Sequence, residues 1–272
     1  MKKLYGRVLI VLILMTAGPL VFTGCYHNAV MDHVPPLALV DDESIVRISN
    51  HEFISFIALN PMVQGTPASR MVEKVGARMA AAVAQYLIYM GKPGLMNGYR
   101  WEFLLVDNAL ANAWCIPGGK VVIYSGILPY TLTEGGLATV MGHEIAHAVA
   151  LHGHERISQL LQARTGGAPL SLVQARRPEE SQMIFDAAFG MAPSTIGLLA
   201  FSRTQELEAD ELGLYFMTMA GYNPSEAVAF WQRISILSLG TLPHFLTTHP
   251  IDQGRIANIR RLVPISLQYY SR

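Results

Sequence analysis

From Thr131 to Gly166 the chain has no proline, and its apolar residues recur at three- and four-residue steps: Leu137, Val140, Met141, Ile145, Ala148, Val149, Leu151. That period belongs to a helix with one buried face. Thr131-Leu132-Thr133-Glu134 has the form of a capping box, and Gly166-Gly167 offers a stop, so a single helix is predicted from about residue 132 to about 163. In its middle lies His143-Glu144-Ile145-Ala146-His147. Side chains four apart on a helix are rotated by only ~40° and stand one turn apart, so His143 and His147 can turn two imidazoles to one ion. Glu144 is then displaced toward a water on that ion.

The same geometry sorts the neighbouring histidines. On a continuous helix His152, nine residues past His143, faces away, rotated by about 180°. His154 returns to the face but lies about 16 Å along the axis, outside any shared coordination shell. Both are predicted to be solvated or hydrogen-bonded residues. Ala150 and Gly153 stand where the longer HExxHxxGxxH pattern needs glycine and histidine. A third donor must come from elsewhere. In Arg203-Thr204-Gln205-Glu206-Leu207-Glu208-Ala209-Asp210, Glu206 and Asp210 share a helix face, while Glu208 is turned away by about 200°. One carboxylate of such a pair can ligate while the other, one turn on, orients a ligating histidine through its far nitrogen. That favours Glu206 as ligand and Asp210 as its support.

Around this pair of segments the order is helix, sheet, helix. Helices are predicted at about 43–58 and, with Thr66 as cap and Pro67 at the first position, to about 90. Short β-branched or aromatic runs at 101–106, 113–116 and 121–124, separated by Asp107-Asn108 and Pro117-Gly118-Gly119, read as three strands feeding the HExxH helix. Residues 164–181 read as a loop, and 183–201 as a packed or interfacial segment. Further helices are expected from Asn223-Pro224 to about 238 and from Pro250 onward. The fold class is α+β, mainly helical, with a small β-sheet next to the HExxH helix. No internal repeat is seen.

Three features bear on setting. Lys2, Lys3 and Arg7 precede the apolar run Val8–Met15, as in a signal peptide, and Phe22-Thr23-Gly24-Cys25 is similar to a bacterial lipobox. Residues 1–24 are thus expected to be a lipoprotein signal peptide with Cys25 lipidated, 25–42 a tether and 43–272 the folded domain; an uncleaved signal anchor is the alternative. Tyr26 in place of aspartate favours the outer membrane, facing the periplasm, over the inner. Without residues 1–24, 17 basic residues stand against 20 acidic, so there is no basis for nucleic-acid binding. Of the two cysteines, Cys115 then has no partner, and it sits in an apolar stretch as a packing residue.

HEIAH, the later ELEAD, and NAWCIPGGKVVIYSGIL over Asn112–Leu128, with Gly221-Tyr222-Asn223-Pro224 and His249-Pro250 followed by Arg255-Ile256, together resemble the CAAX prenyl-protease/HtpX-type zinc metallopeptidases. The nearest branch is that of envelope lipoproteins, to which BepA and LoiP belong. Trp114 and Cys115 replace the family's usual phenylalanine and alanine. The resemblance implies a gluzincin: one Zn2+ per chain on His143, His147 and Glu206, Glu144 as general base, and hydrolysis of unfolded or misassembled envelope polypeptides. An envelope chaperone or assembly factor for outer-membrane proteins, with proteolysis secondary, is the alternative. Asn112, Ala113, Trp114 and Cys115 are expected to bind extended substrate as an added strand. His249, just before a proline-opened helix, has three open roles: gating the metal, polarising the substrate carbonyl, or capping. Arg255 is a second candidate for the carbonyl.

Overall fold

The computed structural model describes residues 39–191, 200–237 and 243–270. The expected signal segment, Cys25 and all of the tether before residue 39 lie outside the described residues, as do positions 192–199 of the apolar stretch. Among the described residues no helix is long and apolar enough to cross a membrane.

Helix α1 (Asp42–Leu59) stands close to the helix expected at about 43–58, with the Ser44 N–H donating to Asp41 Oδ1 (2.7 Å). Helix α2 (Pro67–Tyr89) opens on a reciprocal cap between Thr66 and Ser69, with proline at its start. Strands β1 (Glu102–Val106), β2 (Ala113–Ile116) and β3 (Lys120–Tyr124) form one sheet in the order β1-β3-β2. β1 runs parallel to β3, and β2 antiparallel to it, with Ile116 opposite Lys120. The turn between them needs positive φ at Gly118 (+90°) and Gly119 (+89°), which glycine adopts without a Cβ clash. Alternation along the strands sends Leu105, Ala113, Cys115, Val121 and Ile123 to one core, and Val106, Trp114, Ile116, Val122 and Tyr124 to another.

On the first face, α3 (Leu128–Thr131) leads into α4 (Glu134–Val149), and α4 packs on α8 (Arg203–Met219). The helices meet where Gly142 faces Gly213: a Cβ on Gly213 would stand 2.8 Å from the Gly142 carbonyl carbon. α9 (Ser225–Leu237), α10 (His244–Thr248) and α11 (Gln253–Ser266) close this side. On the second face, α1 is joined by α5 (His152–Thr165), α6 (Leu170–Arg176) and α7 (Pro178–Phe189). The domain is mainly helical with its small sheet beside the HExxH helix, as expected.

Four boundaries differ from expectation. The cap of α4 is Thr133, whose Oγ1 accepts the Gly136 N–H at 3.0 Å, while Thr131 is buried in α3. The single long helix is two, because Leu151 takes a left-handed conformation (φ 58°, ψ 24°) between α4 and α5. Apolar periodicity continues through such a break, since α5 also has a face to bury. Residues 164–181 are largely helical rather than a loop: Leu170 and Val173 of α6, and Ile184 and Phe185 of α7, bury against the second core. The last helix starts at Gln253 with Asp252 as cap, its side chain accepting the Arg255 N–H at 2.8 Å; an aspartate cap outweighs the proline signal two residues before it.

Candidate metal centre

The α4–α8 contact sets the centre. Gly142 precedes His143, and Gly213 lies three residues past Asp210, so close approach of the two backbones presses the HExxH and ExxxD faces together. One atom each from His143, His147, Glu206 and His249 lie within 4.8 Å of one another, and all four residues are buried. His143 Nε2 is 3.1 Å from His147 Nε2 and 3.1 Å from His249 Nδ1. Glu206 Oε1 is 2.9 Å from His249 Nδ1.

Burial works against charge on every member, and the neighbours decide each outcome. Glu206 is held well below the usual carboxylate range, because His249, His143 and Arg255 outweigh its burial. Burial pushes His147 well down and His249 down to about 4. At His143 burial is overcome by Glu206 and Asp210, which lift it to about 9. An ionised carboxylate, neutral imidazoles and a proton trapped by two carboxylates suit a site that a cation occupies in place of that proton. Ring nitrogens facing one another cannot all be satisfied by protons, and Glu206 Oε1 lies 2.9 Å from His249 Nδ1 and 3.4 Å from His147 Nε2. Three imidazoles and one carboxylate are a donor set that zinc takes.

The surroundings orient these donors. Asp210 Oδ1 is 3.1 Å from His143 Nδ1, the nitrogen turned away from the cluster. Arg255 holds Asp210 in a fork, with Nη2 2.7 Å from Oδ1 and Nε 2.9 Å from Oδ2, and it ion-pairs with Glu206. Its remaining Nη1 also donates to the Pro250 carbonyl at 2.7 Å. All three of its nitrogens are engaged, so the expectation that Arg255 serves the substrate carbonyl is corrected: it is a clamp between α11 and α8. His147 Nδ1 meets His152 Nδ1 at 2.9 Å, and His152 Nε2 meets Glu208 Oε2 at 3.3 Å. The turn at Leu151 brings His152 back to the centre, where a continuous helix would have carried it away. Phe201 stacks on His147 with centroids 3.8 Å apart, and the Arg156 guanidinium lies 3.7 Å from the Phe201 centroid.

Glu144 stands beside the cluster, not in it. Its Oε1 is 3.3 Å from His249 Nε2, and the Cys115 backbone N–H is directed to its carboxylate. Burial lifts the Glu144 carboxyl to about 8. His249 therefore bridges the donors on Nδ1 and Glu144 on Nε2. It ends α10 with its backbone N–H on the Phe245 carbonyl (3.0 Å) and is 2% exposed. The expectations of an open loop position and of a cap for the last helix are corrected. Asn112, Ala113, Trp114 and Cys115 are all buried, on a strand whose outer edge has no strand partner among the described residues. The Cys115 thiol is pushed well up by burial, in keeping with a packing role.

Nothing in residue spacing reveals His152, Phe201 or Arg156 as neighbours of the centre. The only local cue is the density of histidines after HExxH, which a helical wheel dismisses.

A family model described as Peptidase family M48 matches residues 69–263. The mitochondrial metalloendopeptidase OMA1 of Schizosaccharomyces pombe is 36% identical over 172 residues, which are 62% of this chain and 48% of that protein. OMA1 of Arabidopsis thaliana is 34% identical over 160 residues, 59% and 31% of the two chains. The beta-barrel assembly-enhancing protease of Escherichia coli is 30% identical over 169 residues, 59% and 34%. The matched region spans half or less of each of these relatives.

Proposed function

As the chain belongs to peptidase family M48, we propose that it is a zinc-dependent endopeptidase, with His143, His147 and Glu206 as ligands and Glu144 as general base. The convergence of buried donors from α4, α8 and α10 carries this reading. Zinc bound there supplies the Lewis acidity that makes water a nucleophile at neutral pH. Glu144, which stands beside the donors with its Oε1 3.3 Å from His249 Nε2, takes the proton of the attacking water and returns it to the leaving amine. Asp210 holds the His143 ring, and Arg255 holds Asp210.

His249 supplies a fourth donor and keeps the enzyme latent. Its Nδ1 stands within the donor set, 2.9 Å from Glu206 Oε1, and all four donor residues are buried. Substrate binds in extended form beside Asn112, Ala113, Trp114 and Cys115, along the edge of β2 that has no strand partner among the described residues and that passes next to Glu144. The natural substrates are unfolded or misassembled polypeptides of the bacterial cell envelope, and Cys25 carries the lipid that anchors the chain to the outer membrane. Similarity to the beta-barrel assembly-enhancing protease and the Phe22–Cys25 motif support that setting. The mitochondrial names of the OMA1 relatives belong to those proteins.

The test is zinc content with casein cleavage by the full chain. Glu144→Gln keeps its zinc and loses about 10²- to 10⁴-fold in turnover. Chelation abolishes activity and lowers the melting temperature, while His249→Ala raises basal cleavage. Undiminished turnover in Glu144→Gln overturns the assigned base; slower cleavage by His249→Ala moves that residue from gate to transition-state support.

A further inference from the structure

The second face of the sheet holds a cavity of about 320 Å³ that the catalytic reading does not use. Phe56, Leu59, Leu110 and Met191 give it apolar walls, and Leu59 at 84% exposed marks an open mouth. Two carboxylates line it, Glu52 from α1 and Asp186 from α7, and no lysine or arginine is among the described lining residues. Glu52 is only 3% exposed, and its one close polar neighbour among the described residues is His51, with Nδ1 3.3 Å from Oε1. Burial and then the Glu52 charge act on Asp186, pushing its carboxyl up to about 6. Two acids share this half-buried space with the imidazoles of His51, beside Glu52, and His244, in the lining, but with no permanent cation among the described lining residues, and such a pair is costly. Apolar walls around them suit an occupant with an aliphatic stem and a cationic head.

The position of the cavity ties it to the cleft. Asn112 lines it, and Asn112 Nδ2 donates to the Gly190 carbonyl (3.3 Å) just past α7. Cys115, whose N–H is directed to Glu144, lies three residues further along the chain in β2. Extended chain covers three residues in about 10 Å. We propose that this cavity is a substrate subsite that takes a lysine or arginine side chain about three residues from the scissile bond. The proposal rests on the endopeptidase reading and adds a sequence preference to it. Main-chain pairing along β2 tolerates any side chain, so selectivity must come from a pocket of this kind.

The experiment uses the full chain and a peptide series in which one lysine is moved position by position, each peptide matched by a norleucine version. Lysine is preferred at one position, about three residues from the cleaved bond, by about tenfold in kcat/KM. The ratio collapses toward one in Glu52→Gln/Asp186→Asn and persists in Glu73→Gln, an exposed acid on α2. The double variant also melts at a higher temperature, because a like-charge pair is removed; a merely structural pair would melt lower. Cleavage of both series at equal rates, or a lysine preference that survives the double variant, overturns the subsite. Absence of all cleavage counts against the peptidase reading instead. Fluorescence anisotropy of the same labelled peptides on Glu144→Gln then still decides the subsite: tighter binding of lysine over norleucine supports it, and equal binding overturns it.

Discussion

On one face of the sheet, α4 and α8 touch backbone to backbone at Gly142 and Gly213, and the donor His143 directly follows Gly142. On the other face, α5 and α7 are kept apart by side chains: Gly153 stands under the Phe189 ring, and the Arg156 guanidinium donates to the Ala187 carbonyl at 3.0 Å. The first face sets distances between donors with no adjustable part between the helices. The second contains rings and long chains that can shift, and it also holds the open cavity. Chemistry that needs donors held within tenths of an ångström belongs on the rigid side. Recognition of varied polypeptides tolerates the softer one.

Three substitutions test that contrast, in decreasing order of effect. Gly213→Val puts side-chain atoms against the Gly142 carbonyl carbon (2.8 Å from the Cβ) and the His143 nitrogen (2.9 Å), and neither can turn aside. A loss of upward of about 3 kcal/mol in urea unfolding is expected, with zinc content falling as His143 and Glu206 separate. Retention of both stability and zinc would mean that α4 and α8 slide without cost. Gly153→Ala meets the Phe189 ring at 2.2 Å, but a side chain can rotate. It should cost about 1–2 kcal/mol while zinc stoichiometry is unchanged; loss of zinc here would show that the two faces are coupled.

Leu151→Gly has the smallest effect, and its sign is the informative part. Relief of a left-handed leucine, less the extra chain entropy of glycine, leaves a gain of about 0.5 kcal/mol. In a continuous helix the same change would cost about 1 kcal/mol. Thermal melts of the two proteins side by side decide between a break and a bend.

Local signals make part of the molecule legible in the chain itself. Thr66-Pro67, the three strand runs and the glycine turn before β3 are each specified by neighbours within a few residues, and the elements fall where those residues put them. His143 with His147, and Glu206 with Asp210, are likewise set on their helices by four-residue spacing. That α4 and α8 must meet follows only from the need for a third donor, and the glycine pair that lets them approach carries no signal of its own. The expectation of one helix over residues 132–163 fails because apolar periodicity does not register a single residue in the left-handed region. Leu151 is kept there by distant partners: α7 under Gly153, and Arg156 on the last turn of α7. The same long-range packing turns His152 to His147 and lays Phe201 across it. It also draws His249 from the end of α10 into contact with both Glu206 and Glu144. Helical spacing is a property of residues three and four apart, so it can be read from the chain. Contacts between residues 56, 78 or 106 positions apart exist only once the burial of both faces has brought them together.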